Sequence, residues 1–440
     1  MRFLRRTTAA VFLIAVLCGC QSLPYADDRA IPSPVVVADG SAERAALNAA
    51  VYDAAIALVT RRFYRRDFGG VDWPSRAAGL REAAVGEPGE TGFYRALNTT
   101  LALLDDPHTN AVAPSVNQRR QQARLAEGPQ FGMTLVRSGE RFIVTRLRPD
   151  GPAAEAGVRP GWRVETVDGA AFDASRTYID GPGMWRFTDA DDVVHDLTLV
   201  ARPMPRAMPR IFRRPDGVLF IQFDEFDRAS REAVLDRLET ELADPPAAIV
   251  IDLRDNGGGL DSEVGRLLSP FFEAGLEYGV AEFGWLPDRR LRTRAATVRF
   301  RGPMAVLTSR QSASGAELFA AFVQEQGRGP IVGGATAGAV VGSRHFALPD
   351  GGRLSVGVVA FRTGAGTVLE RVGVTPDVLV EPSERDLRSG EDPVLERAVE
   401  ALKRPQAGIT RTLEAASRAR SRASSVVAPR AVATPMRRRS

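Results

Sequence analysis

Lysine is nearly absent from this chain of 440 residues. Lys403 is the single one, and every other cationic side chain is an arginine. Arginine does not give up its proton at any working pH, so a lysine general base has no source in the body of the chain. Histidine is scarce as well. His108, His195 and His345 make up the whole set, too little for a site that needs several imidazole ligands. The two cysteines, Cys18 and Cys20, sit together near the start and cannot build a zinc or iron–sulfur framework. Nothing here implies a metal or cofactor. The apolar run at 9–17 is too short to stay as a spanning helix. The formal net charge is +4, with much of the excess at the two ends, which leaves no basic surface for nucleic acid in the middle. A hydrophobic fraction of 44% is enough for two or three domains with real cores.

What is present centres on residues 302–318, GPMAVLTSRQSASGAEL. The apolar run Met304 to Leu307 predicts a buried strand. A turn of small residues follows, and Ala316, Leu318, Phe319, Phe322 and Val323 then recur at helical spacing. Ser314 therefore stands where a strand hands over to a helix, next to unpaired N–H groups and a partial positive charge. That is a place for a nucleophile, which needs a base, an orienting carboxylate and an oxyanion hole. Ser314 followed by Glu317 is equally a capping box, S-x-x-E, which inert helices also carry.

In chain order, residues 1–20 read as a targeting segment: Arg2, Arg5 and Arg6, then the short apolar run, then Leu17, Cys18, Gly19 and Cys20. The ending resembles the lipobox of bacterial lipoproteins, which implies cleavage before Cys20 and lipid on its sulfur. Gln21 in place of aspartate favours an outer-membrane anchor facing the periplasm. Residues 21–40 read as a tether, and 41–115 as an N-terminal helical domain ending at Leu104–His108, where Pro107 stops the helix. Residues 117–124 form a polar linker. Residues 127–202 hold strand, turn, short helix, Gly161-Trp162 turn and strand. They resemble the PDZ domain of bacterial proteases, which captures a chain end on a sheet edge, and the carboxylate would meet the amides around Phe131 and Gly132. Residues 210–403 alternate strands and helices, which implies a largely parallel sheet with packed helices. Asp252 to Gly259, DLRDNGGG, follows a continuous apolar strand, and its three glycines allow close backbone approach. From Arg404 the composition is that of a disordered basic tail.

Four features taken together, the PDZ-like segment, DLRDNGGG at 252–259, SASGAEL at 312–318 and ERVGVTPD at 370–377, resemble the carboxyl-terminal processing, or tail-specific, proteases and the related tricorn core protease. The resemblance covers roughly 41–382. It implies Ser314 as nucleophile and an α/β core of crotonase-like type, with the helical segment and the PDZ-like β domain added. In the processing branch the base is a downstream lysine, whose position holds Ala339 here, so a Ser–Lys dyad is excluded. The tricorn-like branch instead implies His108 as general base and Glu370 as orienting carboxylate, with Asp105 or Asp106 as alternatives to Glu370 and His345 as a reserve base. The oxyanion hole would be an N–H of Gly258 or Gly259 with that of Gly315. The expected activity is that of a cell-envelope serine endopeptidase acting on unfolded or C-terminal peptide segments, with a peptide substrate and a lipid-anchored membrane as partners. The alternative is a non-catalytic peptide or ligand binder on the same fold.

Overall fold

The computed structural model describes residues 34–117, 129–172, 182–205, 207–389 and 391–403. The stretch read as a targeting segment with Cys20, most of that read as a tether, the stretch from 118 onward read as a linker and the C-terminal basic stretch lie outside them.

The N-terminal helices are Ala42–Arg62, Trp73–Val85 and Glu90–Leu101. Ser41 caps the first, its side chain accepting from the Arg44 N–H, and Asp72 caps the second in the same way. Val51, Ala55 and Val59 recur every four residues and bury one stripe against Trp73, Phe93 and Leu97. Asp105 adopts φ 48° and ends this segment. The chain then turns through His108 into the strand Asn110–Val112.

The segment around 129–203 has its own apolar centre, with Trp185 and Phe187 fully buried. Its sheet orders Met133–Ser138, Arg141–Leu147, Arg163–Val167, Pro182–Thr188 and Val194–Val200, each pair antiparallel. The short helix Pro152–Glu155 falls between the second and third strands.

In the core, one six-stranded sheet runs Arg210–Arg213, Val218–Gln222, Ala248–Asp252, Met304–Thr308, Ile331–Gly333 and Val378–Leu379. Only the first pair is antiparallel. Strand alternation sends its side chains to two dry faces. Ile249, Ile251, Met304 and Val306 face the helices Arg228–Glu241, Asp261–Leu268 and Gly315–Glu325, in one cluster with the N-terminal helices. Ala248, Val250, Ala305 and Leu307 face Val394, Leu395, Ala398 and Val399 of the helix Pro393–Lys403. Each fully buried aliphatic side chain contributes about 1.5–3 kcal/mol, which explains why these strands read as continuous apolar runs.

The expectation of a mostly parallel core needs correcting. A second, five-stranded antiparallel sheet joins Asn110–Val112, Arg353–Thr363, Glu277–Phe283 and Arg289–Arg292, with Gly342–Ala347 also on Arg353–Thr363. Two of its pairings are local hairpins, and the other two join residues far apart in sequence, Asn110 with Ser355 and Gly279 with Thr363, so no strand–helix rhythm announces it. That pairing carries the His108 turn onto the core.

Candidate active site

Ser314 is positioned by a turn stapled to the glycine loop through hydroxyls. Ser312, fully buried, accepts from the Ser309 N–H at 2.9 Å and donates to the Leu253 carbonyl at 2.7 Å. Ser309 donates to the Arg254 carbonyl, and the Ala313 N–H donates to the Asn256 carbonyl at 3.0 Å. Arg254 holds the loop from the other side, bridging Asp252 and Asp392 at 2.7 Å each. Ser314 has φ 54° and ψ −113°, a conformation that costs a side-chain-bearing residue on the order of 1–3 kcal/mol. Its own N–H, shared between the Ala339 carbonyl at 3.0 Å and Glu317 Oε2 at 2.9 Å, helps to hold it there. Gly258, at φ 103°, lies against it: a Cβ there would sit 2.6 Å from Ser314 Cβ and 3.0 Å from the Gly315 nitrogen. This is the position where glycine is required.

His108 and Glu370, 262 residues apart in sequence, meet at 3.3 Å between Nε2 and Oε1. The His108 backbone is tied down at both ends, its N–H to Asp106 Oδ1 and its carbonyl to the Ser355 hydroxyl. The hydrogen bond to Glu370 raises the His108 pKa above the ordinary imidazole value; burial opposes this, and the charges of Glu370 and Asp106 add to it. Burial alone would raise the Glu370 carboxyl, but hydrogen bonds from His108 and from the Val340 and Val341 amides outweigh it and hold the pKa below the usual range. Those two amides reach Glu370 Oε2 at 2.8 and 3.0 Å. A short path thus links Ser314 to His108: Ser314 N–H to Ala339, one residue on to Val340, Val340 N–H to Glu370, and Glu370 to His108.

The other residues singled out in the sequence lie elsewhere or have other partners. Asp105 pairs with Arg371 Nη1 at 2.7 Å, and Asp106 accepts from the Thr109 hydroxyl, so neither alternative carboxylate is the partner of the His108 ring. His195 bonds Asp189 at 2.8 Å and stacks on Trp162 in the β domain. His345 lies on Gly342–Ala347, in register with Ser355. Gly258 departs from its expected role as donor: its N–H is already given to Asn256 Oδ1 at 2.8 Å. Among the described residues no group of three or more histidine, cysteine or acidic side chains is placed to hold a metal, and no helix is long and apolar enough to cross a membrane.

Phe131 and Gly132 line a cavity of about 1290 Å³ between the β domain and the core, with Leu135, Phe142 and Trp185 among its apolar walls. At its core side Arg146 grips Asp224 with two hydrogen bonds, at 2.8 and 3.1 Å, and lies 3.6 Å from Asp255 of the glycine loop. Sequence reasoning missed this pair, since a single arginine in a strand carries no signal of its partner. It also missed Glu317 as anything beyond a helix cap.

A half-buried serine with positive φ stands at a helix start, beside a glycine loop and linked through residues 339–340 to a histidine–carboxylate pair. Residues 217–380 match the model of peptidase family S41. The chain is 26% identical over 345 residues to the carboxyl-terminal-processing peptidase 2, chloroplastic, of Arabidopsis thaliana, covering 72% of this chain and 66% of that protein. It is 32% identical over 156 residues to the tricorn protease of Thermoplasma volcanium, covering 35% of this chain and 14% of that one. The solved photosystem II D1 C-terminal processing protease shares the fold, with a TM-score of 0.57 at 22% identity over 78% of this chain and 97% of that one. Residues 217–380 thus carry the S41 match, and the chain is a serine-type peptidase similar to the carboxyl-terminal processing, tail-specific and tricorn proteases.

Proposed function

We propose that the chain is a cell-envelope endopeptidase that cleaves unfolded or C-terminal peptide segments with a Ser314–His108–Glu370 triad. The observation that carries the reading is the 3.3 Å contact of His108 with Glu370, reached from opposite ends of the sequence and linked to the Ser314 turn. With Nε2 turned to Glu370, Nδ1 is the nitrogen that takes the Ser314 hydroxyl proton as Oγ attacks the scissile carbonyl. Glu370 fixes that tautomer and supports the imidazolium, which then protonates the leaving amine. Water, deprotonated by the same imidazole, releases the acyl group. Gly315, at the first position of its helix, and Gly259 supply N–H groups for the oxyanion, while Gly258 allows the close approach. The segment around 129–203 acts as a PDZ-like clamp that adds the substrate's end to a sheet edge near Phe131 and Gly132. The lipobox-like ending at Cys20 supports anchoring at the envelope.

The test is hydrolysis of an unstructured protein by soluble forms lacking residues 1–20: the parent, Ser314→Ala and His108→Ala. The parent cuts and both variants, folded, stop. Cutting that survives in Ser314→Ala sinks the proposal; loss in Ser314→Ala alone moves the base elsewhere, with His345 next.

A further inference from the structure

Four consecutive backbone amides, from Gly338 to Val341, donate to two carboxylates. Gly338 and Ala339 donate to Glu317, at 2.7 Å to Oε1 and 2.9 Å to Oε2. Val340 and Val341 donate to Glu370. Glu317 is fully buried and takes two more donors, the Ser314 N–H and the Thr336 hydroxyl, the latter at 2.6 Å. The Thr336 oxygen accepts from the Val374 N–H, which leaves its proton for Glu317. A capping box accounts for the Ser314 bond alone. The other three go to backbone and side chain far outside the helix, and they are what makes a buried carboxyl group at this place tolerable.

We infer that Glu317 is a positioning residue for the peptidase: by gripping residues 336–339 it fixes the spacing between Ser314 and Glu370, and through Glu370 the orientation of His108. The inference rests on the triad proposed above. Glu317 touches no reacting atom. It acts because the segment it holds supplies, in adjacent residues, the carbonyl that binds the Ser314 N–H and the amides that bind Glu370. A strained serine backbone keeps its conformation only where the surroundings over-determine it, and Glu317 is a large part of those surroundings.

The experiment is the rate at which a fluorophosphonate probe labels Ser314, followed against pH on the full chain, with thermal unfolding alongside. The proteins are the parent, Glu317→Gln, Thr336→Val and His108→Ala. Glutamine keeps one acceptor oxygen and turns a donor toward two N–H groups, so the segment shifts. Labelling by Glu317→Gln is expected to slow by about 10²-fold, the effect of a misplacement on the order of 1 Å. Its acid limb moves to lower pH, because a loosened Glu370 supports imidazolium less. Thr336→Val removes one donor and shows a smaller change in the same direction. If both variants, folded, label as the parent does, the positioning role is overturned. Slower labelling with an unmoved acid limb overturns it too, since that is what a helix cap alone would give. Should Glu317→Gln fail to fold, Thr336→Val decides by the same two criteria. His108→Ala separates the two ideas: if it labels like the parent, the triad reading has failed, whatever Glu317 does.

Discussion

Glu370→Gln tests the histidine–carboxylate pair without emptying the site. Glu370 Oε2 accepts the Val340 and Val341 amides, and Oε1 meets His108 Nε2. A glutamine therefore places its carbonyl oxygen on the two amides and its NH2 toward the imidazole. His108 Nε2 must then accept, which puts the ring proton on Nδ1, the atom proposed as the base. A wrong tautomer with intact geometry lowers kcat about 10⁴-fold in the trypsin example, and a loss of about 10³–10⁴-fold is expected here. Stability should move little, because the two amides stay bonded; a net loss on the order of 1 kcal/mol is the scale of one hydrogen bond. The pH dependence supplies the second readout. In the parent, the raised His108 pKa places the acid limb of kcat/KM above the ordinary imidazole value, with activity gained as pH rises through it. Residual activity in Glu370→Gln should show that limb at lower pH. The assay is cleavage of a fluorescence-quenched unstructured peptide by both proteins across the neutral range. Full activity in the variant, or an unchanged acid limb, would refute the reasoning.

The same pair sets a stability window. The raised His108 pKa contributes stability that is complete below the unfolded imidazole value and is lost as pH rises through the folded one. The lowered Glu370 pKa contributes above the unfolded carboxyl value and is lost as pH falls through the folded one. Denaturant midpoints should therefore peak between the two, and His108→Ala should flatten that peak. Gly258→Ala should leave the protein folded and nearly inactive, since its Cβ would lie 2.6 Å from Ser314 Cβ; circular dichroism with the peptide assay checks both halves. Ser312→Ala removes a buried hydroxyl that joins the serine turn to Leu253, and urea unfolding should register a loss of about 1–3 kcal/mol. Asp105→Ala breaks an exposed pair with Arg371 and should leave the urea midpoint near the parent's.

Much of the site's frame was legible because it is local. The buried strand, the small-residue turn and the helix at Met304–Thr308 and Gly315–Glu325 follow from apolar runs and spacing alone. The helix stop before His108 follows from Pro107. What stayed hidden depends on contacts between distant segments. Strand Glu277–Phe283 pairs with Arg353–Thr363, some eighty residues on, and that pairing exists only in three dimensions. The Gly258 amide looked free because three glycines suggest outward N–H groups, yet Asn256, two residues earlier, folds its side chain back onto it. Glu317 was absorbed by the capping-box pattern, which explains one of its four bonds.

His108 as the proposed base sets a problem that a lysine at position 339, in the serine's own part of the chain, would not. His108 has to be delivered through helices, a turn and a strand, each able to shift it. The described contacts meet that demand from three sides. The strand Asn110–Val112 pairs with Arg353–Thr363 immediately beyond it. Thr109 binds both Asp106 and the Gly357 N–H. Arg371, next to Glu370, reaches Asp105, three residues before the histidine. The exposed Arg371 pair adds little energy, but it joins the neighbours of both members of the histidine–carboxylate pair. Its effect should therefore appear in rate more than in stability: Arg371→Ala is expected to lower kcat while KM and the unfolding midpoint stay near the parent's. A midpoint that falls with kcat unchanged would show that the pair merely stabilises the fold.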